Sequence, residues 1–366
     1  MADATRDDIQ LPYRYLGNSG LRVSTICLGT MTFGALESSR PGQCDEPTAH
    51  SLLDAFVQAG GNFIDTADVY QFGVSESIIG NWLVKRPDVR SKMIIATKLW
   101  GPMDKDDPNC RGLSRHHVLL AVEQSLHRLR TDYIDLYQIH CWDDGTPLEE
   151  TLRALNDLVK MGKVHYIGVS NVTGWQFQKI IDTSKYLGLN QIISNQAQYS
   201  LLCRSTEWEL LEVCKREGVA MLPWSPLKGG LLTGKYERGV VPDDPKSSRI
   251  AWVEADKKSR SNQSHPSLTQ YADKDEYWEL IKAMREIATK HDASVAQVAI
   301  AWLLHQPAVS SVVIGARTVS QLQDNLKAAQ LKLDPEEVSL LTTLSNETLP
   351  YPYEMVFRLQ KGRERN

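Results

Sequence analysis

The 366-residue sequence has no excess of positive charge and no long apolar run. Its formal net charge is -4, so it lacks the basic surface by which proteins bind nucleic acid. No segment approaches the roughly 18 uninterrupted apolar residues of a membrane span, and the polar residues 1–10 contain no apolar core of a signal peptide. We therefore expect neither a nucleic-acid partner nor a membrane association.

Paired cysteines are also absent. The six cysteines are scattered along the chain without a CxxC or CxxxC spacing. In a chain of this size such a pattern is typical of reduced thiols, and not of a disulfide framework or a zinc site. The sequence therefore predicts a cytoplasmic protein without a bound metal.

Short apolar runs alternate with amphipathic stretches. The runs are too short for helices and nearly continuous in apolar character, as expected of parallel strands buried on both faces. Between them, apolar residues recur at helical spacing. The predicted strands are 25–28, 62–66, 93–98, 133–140, 164–170, 191–196, 219–224 and 309–315. The clearest helices are 114–129, 148–161 and 205–216.

Eight strands alternating with helices predict an α/β fold, a (β/α)8 TIM barrel. A doubly wound sheet is the alternative, but the GxGxxG fingerprint of dinucleotide-binding sheets follows no strand. We predict a single domain over 1–366, with its core at about 13–330 and a helix and charged tail at 333–366. Segments 13–16 and 21–23 predict an N-terminal β-hairpin that plugs the barrel, and the polar stretch 237–275 a long loop after strand seven.

In such barrels the functional residues occupy the carboxyl ends of the strands and the loops that follow. Four titratable residues of different type fall there: Asp65, Tyr70, Lys98 and His140. Each alone has a simpler explanation as a turn former, a packing residue, a surface lysine or a structural histidine. Their joint occurrence on one rim favours a catalytic site.

These four residues suit carbonyl reduction. Hydride delivery to a carbonyl carbon creates an alkoxide, which needs a proton donor within hydrogen-bond reach. Tyr70 is the predicted donor, and the ammonium of Lys98 would lower its pKa, while Asp65 keeps Lys98 protonated and oriented. His140 can donate to the carbonyl oxygen and stabilise the developing charge.

The same segments resemble the aldo-keto reductase family. The resemblance extends from about Tyr13 to about Ala329, with the motifs in the family's order. The matching segments are 62–70, 73–76, 95–98, 135–140, 168–171, 195–196, 223–227 and 234–236. By this resemblance Asp65, Tyr70, Lys98 and His140 form the catalytic tetrad. Many members of the family have a tyrosine at the position of Trp224. A tryptophan there resembles the branch that contains bacterial reductases and potassium-channel β subunits.

No side chain can donate hydride, so a cofactor is expected. Phosphate sites in these barrels form after strands seven and eight, where Lys228, Gly229, Lys235, Gly315 and Arg317 fall. We expect Arg317 to contact the 2′-phosphate of NADP, which favours NADPH over NADH; the alternative is a surface arginine beside a capped helix. The resemblance and these loops together imply cofactor contacts by Thr30, Met31, Asp65, Ser170, Asn171, Gln196, Trp224, Ser225, Pro226, Leu227, Lys228, Gly229, Lys235, Arg249, Gly315, Arg317, Gln321, Asp324 and Asn325.

Large aromatic residues also follow the strand ends. Phe33, Trp100, Trp142 and Tyr199 either line an apolar mouth for a small carbonyl substrate or pack within the loops. Cys141 is either a redox-sensitive thiol beside His140 or an inert one. The sequence is compatible with both a monomer and a homo-oligomer.

Two other functions compete with a reductase. One is a regulatory subunit that keeps the cofactor site but turns over little, as channel β subunits illustrate. The other is a metal-dependent hydrolase, which needs several histidine and carboxylate ligands at strand ends. Only one histidine is predicted there, and a lysine would repel a metal. The sequence therefore favours the reductase.

Overall fold

The computed structural model of the chain describes residues 9–35, 42–240, 242, 244, 248–255 and 266–363. Their strands are Tyr13–Tyr15 (β1), Arg22–Ser24 (β2), Ile26–Gly29 (β3), Phe63–Asp65 (β4), Ile94–Leu99 (β5), Ile134–Ile139 (β6), Val164–Ser170 (β7), Ile192–Gln198 (β8), Ala220–Trp224 (β9) and Val312–Ile314 (β10). Their helices are Glu46–Gln58 (α1), Val74–Val84 (α2), Arg115–Leu129 (α3), Leu148–Lys160 (α4), Gly174–Tyr186 (α5), Leu210–Glu217 (α6), Arg249–Ala255 (α7), Asp275–Lys290 (α8), Val295–Leu304 (α9), Val319–Lys327 (α10), Pro335–Leu344 (α11) and Tyr353–Gln360 (α12).

Strands β3 to β10 form one parallel sheet in the order β10-β3-β4-β5-β6-β7-β8-β9. Met221 of β9 bonds to the segment just before β10, because its N–H donates to the Ala308 carbonyl at 2.8 Å and its carbonyl accepts from the Ser310 N–H at 3.2 Å. The sheet therefore curls round on itself. All eight predicted strands are present, with helices between them, and the predicted (β/α)8 barrel is confirmed.

The N-terminal hairpin closes one end of this barrel. β1 and β2 pair antiparallel, and Leu16 and Val23 are wholly buried against lumen residues that include Cys27 and Phe63. A side chain at Gly17 would place its Cβ 2.7 Å from two backbone oxygens, so the turn requires glycine. The predicted plug is confirmed.

The strand and helix boundaries follow local signals. β6 is buried along its whole length, as a strand covered on both faces should be. Ser114 caps α3 by accepting a hydrogen bond from the His117 N–H, so the helix begins one residue after the predicted start. The predicted helix 205–216 is instead a short 3-10 turn at Ser205–Glu207 followed by α6.

Two segments carry more regular structure than expected. Within 237–275, the predicted long loop contains α7 and a 3-10 turn at Leu268–Gln270. Buried Glu254 joins them, because its carboxylate accepts from the hydroxyls of Ser267 at 2.6 Å and Thr269 at 2.5 Å. The C-terminal tail forms two helices, α11 and α12, where one was predicted.

None of the described helices combines the length and the apolar composition that a membrane crossing requires. Among the described residues, no three His, Cys, Asp or Glu side chains come together as metal ligands.

Candidate active site

The carboxyl ends of β4, β5 and β6 bring the predicted tetrad together. Asp65 ends β4, Lys98 lies near the end of β5, and Tyr70 belongs to the loop after β4. Lys98 Nζ donates to Asp65 Oδ2 at 2.6 Å, to the Thr66 carbonyl at 2.8 Å and to the Tyr70 hydroxyl at 3.3 Å. An ammonium has three N–H groups, so these contacts satisfy it fully.

Lys98 is a buried cation held by its partners. Its side chain is wholly buried, and Asp65 is 2% exposed. Burial lowers the pKa of an ammonium, but the charge of Asp65 and the contacts with Tyr70 outweigh burial and raise the pKa of Lys98 to about 12. Lys98 is therefore positively charged at neutral pH, directly beside the Tyr70 hydroxyl.

Two opposite effects act on the pKa of Tyr70. Burial raises the pKa of the phenol, and the nearby Lys98 lowers it by less, so the net pKa lies above its usual value. The predicted lowering by Lys98 is present, but desolvation of the phenolate outweighs this single ammonium. Tyr70 is consequently protonated at neutral pH, which is the form that can donate a proton.

His140, directly after β6, completes the group. Its ring meets the Tyr70 ring edge to face, with centroids 5.9 Å apart. Burial, reinforced by the charge of Lys98, lowers the pKa of His140 to about 3. The imidazole is therefore neutral at physiological pH and keeps one N–H to donate to an oxygen at the mouth.

Two glutamines complete the surroundings of Asp65. Gln138 Nε2 donates to Asp65 Oδ1 at 2.9 Å, and Gln196 Nε2 donates to the same oxygen at 2.8 Å. Both side chains are buried. Sequence reasoning assigned Gln196 to the cofactor and gave Gln138 no role. The sequence did contain a signal that Gln138 lies near the tetrad, because alternation along β6 places it on the same face as His140.

The loop that carries Tyr70 is held by buried hydroxyls. The Ser75 hydroxyl lies 2.8 Å from that of Thr30 and 3.0 Å from that of Thr66. Thr30 also donates to the Asp65 carbonyl at 3.1 Å and is wholly buried. Its side chain therefore supports the loop, and its predicted cofactor contact stays a prediction. The neighbouring Met31 is 42% exposed and remains available.

A second buried carboxyl lies behind this loop. Asp68 Oδ1 accepts from the Val69 N–H at 2.6 Å, while Oδ2 is buried without a partner among the described residues. Burial and the nearby charge of Glu76 raise the pKa of Asp68 to about 8, against smaller lowering by Arg128 and Lys98. Asp68 is therefore largely protonated at neutral pH.

The predicted nicotinamide contacts lie next to the tetrad. Ser170 ends β7 and donates to the Gln196 carbonyl at 2.7 Å. The Asn171 amide donates to the His140 carbonyl at 2.8 Å and to the Ser170 hydroxyl at 2.9 Å. These donors are engaged, so the side-chain oxygens of Asn171 and Gln196 are the groups left to accept from a carboxamide.

The segment after β9 forms a glycine turn. Trp224 ends β9 half-buried, followed by Ser225 with a φ of 54°. Pro226 is buried and Leu227 half-buried, and a distorted 3-10 turn at Lys228–Thr233 follows. In it Gly229 and Gly230 have φ of 70° and 110°, a region that favours glycine, and the Gly230 N–H donates to the Leu227 carbonyl at 2.9 Å.

Lys235 and Arg317 bring positive charge to the region beyond this turn. The pKa of Lys235 is lowered by burial and then by the positive charge of Arg317. Arg317 Cδ would lie 3.0 Å from a Cβ added at Gly42, so the arginine packs along that glycine. A side chain at Gly315 would meet nothing within 4 Å. Two cations whose charges act on each other are suited to binding a phosphate.

Three further predicted cofactor residues lie on α10, which Thr318 caps. Gln321 is exposed and accepts from the Arg317 N–H at 3.1 Å, and Asn325 is buried. Asp324 instead accepts from Ser294 Oγ at 2.8 Å and Gln297 Nε2 at 2.7 Å. Its carboxylate therefore ties α10 to the start of α9, and its predicted cofactor contact stays a prediction.

Arg249 begins α7 and is half-buried. Its neighbour Ile250 and Pro266 approach the glycine turn, because a Cβ added at Gly229 would lie 3.5 Å from Ile250 and 2.5 Å from Pro266. The segment with Arg249 thus packs over the predicted phosphate loop, as the clamping hypothesis requires.

The predicted aromatic residues lie in two different environments. Trp100 and Trp142, which follow β5 and β6, are half-buried, whereas Phe33 is wholly buried in the core, which favours the packing alternative for it. Tyr199 is also wholly buried, with its hydroxyl 2.6 Å from Glu207. Sequence reasoning missed Trp175, which is 62% exposed at the start of α5 and meets Trp142 edge to face at 5.6 Å.

Cys141 is half-buried, and burial raises the pKa of its thiol. A thiol in that state is poorly ionised at neutral pH, which favours the inert alternative over a reactive one.

Comparisons with known proteins identify the family of the chain. Residues 25–346 match the Aldo/keto reductase family. The uncharacterized oxidoreductase YrpG of Bacillus subtilis is 37% identical over 353 residues, covering 93% of this chain and 97% of that protein. Norsolorinic acid reductase stcV of Emericella nidulans is 34% identical over 91% and 80%. A probable voltage-gated potassium channel subunit beta of Arabidopsis thaliana is 36% identical over 88% and 92%.

The family match covers most of the chain, and the predicted tetrad residues all fall within it. The relatives include both reductases and the channel-subunit branch that Trp224 indicated. The chain therefore belongs to the aldo/keto reductase family, a family of carbonyl oxidoreductases.

Proposed function

We propose that this protein reduces aldehydes or ketones to alcohols with NADPH, with Tyr70 as general acid. One observation carries the proposal: a protonated tyrosine contacts a fully satisfied buried ammonium at the mouth of the barrel. When bound, NADPH supplies the hydride. The substrate is a small carbonyl compound, and neither nucleic acid nor membrane is a proposed partner.

The proton path follows from the tetrad's contacts. His140, neutral and with an N–H available, donates to the carbonyl oxygen and orients it towards Tyr70. As charge develops on that oxygen, Tyr70 transfers its proton to it. Lys98, 3.3 Å from the hydroxyl, stabilises the phenolate that remains, and Asp65 holds Lys98 in place.

The cofactor is proposed to lie across the ends of β7 to β10. Asn171 and Gln196 would accept from the carboxamide, and Trp224 would contact the ring. The glycine turn and Lys235 would hold the pyrophosphate. The positive charge of Arg317, which acts on Lys235, supports the binding of a third phosphate, and this charge is the reason for proposing NADPH rather than NADH.

We also propose that the protein is located in the cytoplasm. No disulfide joins the six cysteines, all of which lie among the described residues. Reduced thiols are the rule in the cytosol.

The test combines NADPH binding by fluorescence with absorbance decay at 340 nm, using a panel of aldehydes, ketones and quinones. We expect tight NADPH binding and turnover of some panel members. Failure to bind either nicotinamide nucleotide would refute the proposal.

The relative named as a channel subunit favours a second candidate, a regulatory subunit that binds the cofactor with little turnover. Tight binding of NADPH with no turnover across the panel would favour that candidate.

A further inference from the structure

Gln138 occupies an unusual place beneath the tetrad. It lies in the middle of the barrel wall, beside Lys98 in β5 and Gly168 in β7 by strand register. Its side chain is wholly buried, and its amide donates to Asp65 Oδ1 at 2.9 Å. A buried polar group of this kind is costly unless it is hydrogen-bonded, so the contact with Asp65 holds both side chains.

Gly168 makes room for this arrangement. A Cβ there would lie 3.1 Å from Gln138 Cγ and 2.5 Å from Ser194 Oγ. The absence of a side chain lets Gln138 fold across the lumen towards Asp65. Ser194, on the other side of Gly168, is equally buried, but its hydroxyl has no partner among the described residues.

The two glutamines on Asp65 Oδ1 differ in their surroundings. Gln196 adjoins Ser170 and Asn171, where the carboxamide of the cofactor is proposed to bind. Gln138 adjoins Lys98 in β5 and Gly168 in β7, and the proposed cofactor contacts include no atom of Gln138. Its donation to Asp65 is therefore expected to persist with or without the cofactor.

We propose that Gln138 is a positioning residue, which fixes the Asp65 carboxylate so that Lys98 keeps its third N–H directed at Tyr70. This inference rests on the proposed function. Asp65 offers Oδ2 to Lys98 and Oδ1 to the glutamines. Without Gln138, one donor fewer fixes the plane of the carboxylate. The Lys98 ammonium then shifts together with the Asp65 carboxylate, and its 3.3 Å contact with Tyr70 lengthens.

The test compares Gln138→Met, which keeps the length of the side chain but removes the donor, with Ser194→Ala as a matched control in the same layer. We expect Gln138→Met to lower kcat for carbonyl reduction about tenfold or more, because hydrogen bonds to charged groups contribute at that level. NADPH affinity should stay within about twofold, since the substitution removes no cofactor contact. Ser194→Ala should retain wild-type kcat.

Gln138→Glu separates positioning from packing. A buried carboxyl beside Asp65 holds its proton strongly and, while protonated, can donate to Oδ1. At pH 6 we expect Gln138→Glu to exceed Gln138→Met in kcat about tenfold, an advantage that disappears wherever the introduced carboxyl ionises. A merely structural role would leave the two variants equal at every pH.

Wild-type kcat in Gln138→Met, or no advantage of Gln138→Glu at any pH, would overturn the inference while leaving the proposed function intact. If Gln138→Met fails to fold, the pH dependence of kcat in Gln138→Glu is compared with that of the wild type. An identical pH dependence would overturn the inference. Absence of turnover in the wild type would instead refute the proposed function, and this inference with it.

Discussion

Gln196 Nε2 donates to Asp65 Oδ1 at 2.8 Å, although the two residues belong to β8 and β4, which lie four strands apart in a barrel of eight. The contact spans the lumen and joins the predicted nicotinamide side to the tetrad. A change at Gln196 should therefore affect both cofactor binding and proton transfer.

We expect Gln196→Met to raise the Kd for NADPH and for NADH by a similar factor and to lower kcat about tenfold or more, since it removes a donor to a buried carboxylate. Fluorescence titration with each nucleotide and steady-state kinetics measure the two effects. An unchanged kcat with weaker nucleotide binding would show that the contact with Asp65 has no part in the chemistry.

Arg317→Met should discriminate between the two nucleotides. Loss of a charge-assisted contact with the 2′-phosphate is expected to raise the Kd for NADPH about 10- to 100-fold. The Kd for NADH should stay nearly constant, because NADH lacks that phosphate. An equal rise of the Kd for NADPH and for NADH would show that Arg317 contacts a part of the cofactor that both nucleotides share.

Asp68 gives the protein a predictable dependence of stability on pH. Its pKa is about 8 when folded and, at its usual value, near ~3.9 when unfolded, so the folded state binds the extra proton. The contribution of protonated Asp68 to the free energy of unfolding is fully present below about pH 4 and is lost as the pH rises towards 8. Asp68→Asn removes the titration, and the new amide occupies the position of the unpartnered Oδ2.

We therefore expect Asp68→Asn to be more stable than the wild type at pH 8, by about 2 °C in Tm or more, with the difference shrinking as the pH falls to 5. Thermal unfolding at a series of pH values is the measurement. A difference that is constant with pH would mean that Asp68 is ionised throughout.

The exposed tryptophan at the mouth should affect aromatic substrates selectively. Trp175→Ala is expected to raise KM for benzaldehyde-type substrates about 2- to 10-fold, the range for loss of an aromatic pair, with little effect on short aliphatic aldehydes. Phe33→Leu is the matched control, since this buried side chain should alter Tm and not KM. Similar KM changes for both substrate classes would exclude a stacking role for Trp175.

The sequence predicted the barrel and the meeting of Asp65, Tyr70, Lys98 and His140 because both depend on strand order. Strand ends of a parallel barrel share one rim, whichever side chains surround them. The effect of Lys98 on the Tyr70 pKa was predicted, but the net direction was not, because it depends on how deeply the phenol is buried, and burial is not readable from a motif.

Other side-chain environments were not predictable for the same reason. Phe33 and Trp175 are both aromatic residues near strand ends, but packing against the core hides one and exposes the other. Asp324 is bonded to residues about 30 positions away in the chain, which no local pattern indicates. Helices α7 and α12 are short, and their polar surroundings obscured the helical period.

Tyr70→Phe tests the central claim most directly, with single-turnover absorbance decay at 340 nm and NADPH fluorescence recorded on the same preparation. The account predicts that the rate of carbonyl reduction falls about 100- to 10,000-fold, the contribution of a general acid, while the Kd for NADPH stays nearly constant. A variant that reduces the carbonyl at close to the wild-type rate would contradict the assignment of Tyr70 as the proton donor.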